Sequence, residues 1–215
     1  MSTGTWILIV MAAATAGSDW VAVSRRPAAR KLEYVAKPLT LVLLVGVALA
    51  VDPADEAQRA WFVAALVLCL AGDVFLMLPS EQFVAGLGSF LLGHLAYVVA
   101  FTLEDGFSGT GLTLGVVAVV ATGVVLGRRV LVAVRLGPES ALFVPVVAYM
   151  VVISAMVATA VGSGDPVAVV GAGLFYGSDL CIAVTRFERP RRWGPLTIMI
   201  TYHLAQVLLV GSIVR

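Results

Sequence analysis

The chain has 215 residues, 60% of them hydrophobic and 13% charged, with a net charge of +1 and a mean hydropathy of +1.02. A single soluble core of this length cannot bury so much apolar surface, so the sequence reads as an integral membrane protein. The near-neutral charge gives no basis for a nucleic-acid partner.

A spanning helix needs about 20 apolar residues, and clusters of charge, Pro and Gly cut the chain into eight such runs: 5–23, 34–51, 60–78, 83–103, 109–127, 140–161, 166–185 and 195–214. The expected fold is all-α, a polytopic membrane helix bundle of about eight transmembrane helices, with residues 1–215 as a single membrane domain and short loops. The first run has no basic residue ahead of it and keeps Asp19 near its far end, so it counts as helix 1 rather than a secretory signal. Arg25, Arg26, Arg30 and Lys31 follow helix 1; Arg128, Arg129 and Arg135 follow helix 5; Arg186, Arg189, Arg191 and Arg192 follow helix 7. The opposite loops carry Asp52, Asp55, Glu56, Glu104, Asp105 and Asp165, with Arg59 as the exception. The positive-inside rule makes the basic loops cytoplasmic and leaves both termini outside. The basic loops also attract anionic membrane lipids. The Ala-, Val-, Gly- and Arg-rich composition points to a bacterial inner membrane as the cell membrane concerned.

Acids within the apolar runs are the next signal. An Asp at the centre of a spanning helix costs about 2.5–3.5 kcal/mol on insertion scales, so it needs a partner, a cavity or a chemical role. Helix 1 ends in "GSDW" (17–20), helix 3 contains "AGDV" (71–74) and helix 7 contains "GSDL" (177–180); helices 4 and 8 answer with "GHLAY" (93–97) and "YHLAQ" (202–206). The similarity suggests repeated helix pairs, 3 with 4 and 7 with 8. Asp73 and Asp179 lie five or six residues before the basic end of their helices, about 8 Å inside it at 1.5 Å per residue. Tyr202, His203 and Tyr149 enter from that same end, and His94 with Tyr97 sits nearer the midplane. Gln206 is one turn from Tyr202, and Gly86, Phe90, His94 and Tyr97 share a stripe of helix 4. Small residues Gly171, Gly173, Gly177 and Ser178 offer helix 7 a close-packing surface. These groups can therefore converge in one cavity opening toward the cytoplasmic leaflet.

Simpler readings stand beside these. Asp19 is near enough to the interface to pair with Lys37 or a basic-loop residue as a structural charge. Lys37 is either a headgroup anchor or a phosphate-binding group, and Pro38 suits the first turn of helix 2. His94 and His203 are either interhelical hydrogen-bond donors or functional groups. Cys69 and Cys181 read as packing residues. The sequence has no GxSxG elbow, HExxH or P-loop, and two His with two Cys exclude a three-His zinc site, so no metal or other cofactor is expected. What remains is a pair of intramembrane carboxylates with His and Tyr neighbours. Burial and mutual repulsion leave one protonated and the other ionised, an arrangement suited to acid catalysis.

The elements "KPLT" (37–40), "AGDVFLML" (71–78), "FVAGLGSFLLGHLAYVVAF" (83–101), "GAGLFYGSDLCIAVTRF" (171–187) and "TYHLAQVLL" (201–209) resemble the YhhN family of multipass membrane proteins over nearly the whole chain. That family includes animal lysoplasmalogenases, so the resemblance implies hydrolysis of a lysophospholipid vinyl ether to a fatty aldehyde and a glycerophospho-alcohol. Carried over by position, its acids are Asp73 and Asp179. The expectation is that Asp179 donates a proton and Asp73 stabilises the resulting cation and orients water, with the two roles exchangeable. His94, Tyr97, Tyr149, Tyr202, His203 and Gln206 would then support the pair or the glycerol hydroxyl, and Lys37 would hold the phosphate. A proton-coupled lipid transporter and a lipid-binding protein are the alternatives, but polar groups crowded into one half of the membrane favour an enzyme or binder over a through-path.

Overall fold

The structure is a computed structural model that describes residues 1–78, 80 and 82–214. Among the described residues, eight helices are long and apolar enough to cross a membrane: α1 (Thr3–Ser24), α2 (Arg30–Ala50), α3 (Glu56–Met77), α4 (Phe83–Thr102), α5 (Gly109–Leu136), α6 (Ser140–Ser163), α7 (Pro166–Glu188) and α8 (Gly194–Ser212). The chain is a multipass membrane protein of the all-α class. Consecutive helices pair as antiparallel hairpins, α1 with α2, α3 with α4, α5 with α6 and α7 with α8. Contacts of α2 with α3, α4 with α6, α6 with α7 and α8 with α1 then close seven helices into a ring. α5 stands outside the ring against α6, and little of it is buried. Large apolar side chains such as Val10, Val42, Leu92, Val117, Val151 and Val207 line the outer surface, as lipid contact requires.

The odd-numbered helices all start at the acidic end, and each starts on a side-chain cap. Ser2 accepts from the Thr5 amide at 3.2 Å, Asp55 from Gln58 at 2.9 Å, Ser108 from Gly111 at 3.1 Å and Asp165 from Val167 at 2.8 Å. Such a cap is worth about 1 kcal/mol, and an acid there also meets the positive end of the helix dipole. Two of the acids that mark topology therefore also start helices. The α6–α7 turn needs Gly164, whose φ of 75° is left-handed.

Three helices run a turn or more beyond their apolar stretch: α3 starts at Glu56, and α2 and α5 extend at their basic ends. α2 begins at Arg30, so Pro38 is internal and not in the first turn; it removes the N–H that would bond the Tyr34 carbonyl. Glu33 makes this extension possible by pairing with Arg26 across the α1–α2 turn. α5 continues through Arg128, Arg129 and Arg135, which are helical rather than in a loop. Its last two turns are amphipathic: Val130 and Val134 are buried against Val146 of α6, while Arg128 and Arg129 are exposed and the Arg135 guanidinium lies 5.2 Å from the Phe143 ring centre of α6. Charge ends an apolar run without ending a helix, because the backbone bonds do not depend on the side chains' hydropathy.

Close approach within the hairpins sets the interior geometry. A Cβ on Gly72 would lie 2.6 Å from the Phe90 ring, so only glycine lets α4 bring that ring against α3. On α7, Gly171 faces Leu209 of α8 and the Ser178 hydroxyl donates to the Ile198 carbonyl at 3.1 Å. Gly173 and Gly177 have nothing near them, so the small-residue surface is narrower than the sequence suggests.

Candidate active site

All seven ring helices send a polar side chain inward, and α5 sends none among the sequence-selected set. The first group forms around Asp73 of α3. Lys37 of α2 lies 2.8 Å from Asp73 Oδ1, with the two side chains only 8% and 1% exposed. The Tyr202 hydroxyl of α8 donates to Asp73 Oδ2 at 2.8 Å, and the Lys37 ammonium also sits 5.8 Å from the Tyr202 ring centre. Both carboxylate oxygens are thus engaged and a cation balances the charge, which is the arrangement a buried carboxylate requires. Lys37 is accordingly neither a headgroup anchor nor turned toward a phosphate; it is spent inside the bundle.

The second group forms around Asp179 of α7. The Tyr149 hydroxyl of α6 donates to Asp179 Oδ2 at 2.5 Å, and His94 Nε2 of α4 stops 3.8 Å from that same oxygen, outside hydrogen-bond range. No Lys or Arg pairs with Asp179 among the described residues. Its side chain is 13% exposed and lines an apolar pocket between α4, α6 and α7, with Leu87, Phe90, Tyr149, Ile153 and Ile182 among the walls. Asp73 does not line that pocket.

An aromatic cluster joins the groups. Phe175 packs edge-on against His94 at 4.6 Å and against Tyr202 at 5.3 Å, and Phe90 meets both Phe175 and Tyr202. Phe175 stands between Tyr202, the donor to one carboxylate, and His94, the neighbour of the other. The structure therefore brings Asp73, Asp179, Lys37, His94, Tyr149 and Tyr202 into one buried assembly while giving the two acids different surroundings.

The remaining selected residues lie at its edge. Tyr97 donates to Gln206 Oε1 at 2.6 Å, tying α4 to α8. His203 Nδ1 accepts from the Trp20 indole of α1 at 3.0 Å. That partner was legible only as the last letter of "GSDW", because its direction depends on how α1 crosses α8. Asp19 is fully buried, yet neither of its oxygens has a hydrogen-bond partner among the described residues. Its expected ion pair with Lys37 does not form, since Asp73 takes that ammonium. Buried nitrogens of His94, His203 and Gln206 are also without partners. Cys69 and Cys181 are both free thiols.

The YhhN family profile matches residues 32–213, which include all of these residues except Asp19 and Trp20. The chain belongs to the YhhN family. Over 179 residues it is 32% identical to a protein of Mycobacterium tuberculosis named lysoplasmalogenase, covering 80% of this chain and 67% of that one. Over 188 residues it is 34% identical to the human protein named lysoplasmalogenase TMEM86B, covering 74% of this chain and 79% of that one. A shorter stretch of 71 residues is 35% identical to an Escherichia coli O157:H7 protein named uncharacterized membrane protein YhhN, covering 33% and 34% of the two chains. No solved structure matches the chain. For this YhhN family member, then, the relatives' names and the buried acids meet on one question, the chemistry of a carboxyl in the wall of an apolar pocket.

Proposed function

We propose that this YhhN family protein is a membrane-embedded hydrolase that cleaves the vinyl ether of lysoplasmalogen-type lipids, releasing a fatty aldehyde and a glycerophospho-alcohol. The observation that carries the reading is Asp179: a carboxyl held by Tyr149, without a paired cation among the described residues, opening on an apolar pocket. The names of the Mycobacterium and human relatives support the substrate class. A vinyl ether resists nucleophiles but accepts a proton at its β-carbon. Asp179 donates that proton from Oδ1, because Oδ2 is occupied by Tyr149. The electrons of the double bond form the new C–H bond, and the ether oxygen stabilises the cation left on the α-carbon. Water adds to that carbon and returns its proton to the Asp179 carboxylate, and the hemiacetal then collapses to aldehyde and alcohol. Acid and base are one group, and one water is consumed. His94, whose ring nitrogens have no hydrogen-bond partner among the described residues, is the group available to hold the water. Asp73 acts one layer behind: with Lys37 it fixes Tyr202 and, through it, Phe175 and Phe90. The positive-inside rule sets this site in the cytoplasmic half of a cell membrane, within a single membrane domain and with both termini outside.

Heavy water tests the central step. Carbon protonation leaves one solvent deuterium on carbon 2 of the aldehyde, next to the carbonyl, in products trapped before enol exchange. It also gives a normal solvent isotope effect and turnover that declines as rising pH empties the acid. Aldehyde formed without that label would exclude the mechanism. Tight binding of the vinyl ether lipid with no turnover would describe a lipid-binding protein instead.

A further inference from the structure

The reaction leaves the substrate's phosphate unassigned, because Lys37 is committed to Asp73. A second hollow lies beside the apolar pocket at the basic end and shares Phe83 with it. Its volume is about 350 Å³, inside the range of about 300–1,000 Å³ for small-ligand sites. Its polar lining is Arg186, Glu139 and Gln82. The Arg186 guanidinium lies flat enough over Phe83 to put its central carbon 3.8 Å from the ring centre. Its Nε and terminal nitrogen donate to the two Glu139 oxygens at 3.1 and 2.7 Å, a two-point fork of the kind that also fits a phosphate. Arg186 follows Asp179 by seven residues, nearly the same face of α7 and about 10 Å nearer the basic end. A π-type turn over Val184–Glu188 turns Arg186 into the hollow while Phe187 lines the apolar pocket. Two helical turns match a glycerol backbone plus the reach of an arginine side chain.

We propose that Arg186 binds the phosphate of the lysophospholipid, exchanging the Glu139 carboxylate for the phosphate oxygens while remaining stacked on Phe83. The inference rests on the lysoplasmalogenase reading for its substrate class, but it concerns binding and can be tested apart from catalysis. The probes are a saturated 1-O-alkyl-glycerophosphocholine, which has no bond to cleave, and the 1-O-alkylglycerol of equal chain length, which has no phosphate. Both are titrated at fixed mole fraction in detergent micelles against the full chain. Arg186→Gln should weaken the phosphate-bearing ether at least tenfold and the alkylglycerol less than twofold. Unaltered alkylglycerol binding also shows that the variant is folded. Arg186→Lys should fall between, keeping the charge without the fork, and Glu139→Gln should tighten the phosphate-bearing ether by removing one competing carboxylate. Equal losses for both probes, or none for either, overturn the proposal. Added inorganic phosphate should leave both affinities unchanged; competition would make this a free-anion site and overturn the lipid assignment. If the parent protein shows the Arg186-dependent preference but never turns over a vinyl ether, the phosphate site stands and the hydrolase reading falls. If it turns over the vinyl ether with equal KM in parent and Arg186→Gln, the reverse holds.

Discussion

Asp73 and Asp179 share a neighbouring sequence and each accepts from a tyrosine, yet they are built into opposite conditions. Asp73 has a lysine on one oxygen and Tyr202 on the other and is closed from every side. Asp179 has Tyr149 and a histidine held just out of reach, and one side of it opens on the apolar pocket. The first arrangement satisfies a charge; the second leaves a carboxyl ready to exchange a proton with something apolar. Under the mechanism proposed above, the two acids therefore have different roles. The decisive variable is whether a cation has been placed within hydrogen-bond distance.

The sharpest way to break the contrast is to remove the reactive group. Asp179→Asn keeps the shape and the Tyr149 contact but has no carboxyl proton to give, so kcat should fall about 10³-fold, within the range for losing a general acid. The protein should remain folded and monodisperse in detergent. Near-normal turnover would move acid duty elsewhere.

Removing Asp73 tests the other half. Asp73→Asn leaves Lys37 buried without its counter-charge, which should lower stability by about 3–5 kcal/mol, read as a large drop in the detergent melting temperature. Replacing both members, Lys37→Met with Asp73→Leu, should restore most of that stability, since a buried pair is often replaceable by apolar residues of similar volume. The double variant should also keep far more activity than Asp179→Asn. If it is as inactive while well folded, Asp73 takes part in the chemistry and the division of roles drawn here is wrong.

The tyrosines rank next. Tyr149→Phe deletes the hydrogen bond that fixes the Asp179 carboxyl, and a bond to an ionisable group is worth about 1.5–3 kcal/mol, so kcat should drop by roughly 10- to 100-fold. Tyr202→Phe, one layer behind, should cost less in kcat than Tyr149→Phe. A larger loss at Tyr202 would invert the assignment of the two halves. The smallest effect is expected at Asp19, whose oxygens make no hydrogen bond to lose. Asp19→Asn should change neither turnover by more than about twofold nor the melting temperature downward, because an amide fills the same space without a charge to desolvate. A marked loss of stability would reveal a partner for Asp19 that its surroundings do not provide.

The eight spans and the antiparallel direction of neighbouring helices were legible in the sequence, for one physical reason. A bilayer imposes a fixed thickness, and a helix converts residue number into depth at a constant rise. The limits of that reading appear at Arg30–Tyr34 and Arg128–Leu136, where helices continue beyond the apolar stretch because their ends find a salt bridge or an amphipathic contact. The convergence of Tyr149 with Asp179 was legible as a shared level, whereas Trp20 on His203 was not, since neither sequence neighbourhood points at the other.

Direction around each helix axis, and the order of helices around the ring, belong to the tertiary structure alone. Asp19, Asp73 and Lys37 lie near one end of the bundle, and their spacing allows either acid to take the lysine. The choice falls to Asp73 because α2 packs on α3 with that face inward and Tyr202 of α8 completes the pair. Likewise Arg186 reads from the sequence as one positive charge among several in a basic loop. Only the meeting of α4, α6 and α7 sets it on Phe83, opposite Glu139, at the rim of the pocket that ends on Asp179. Depth is a property of one helix and can be counted along the chain. Partnership is a property of several helices packed together, and small residues such as Gly72, far from any charge in kind, decide how closely they meet.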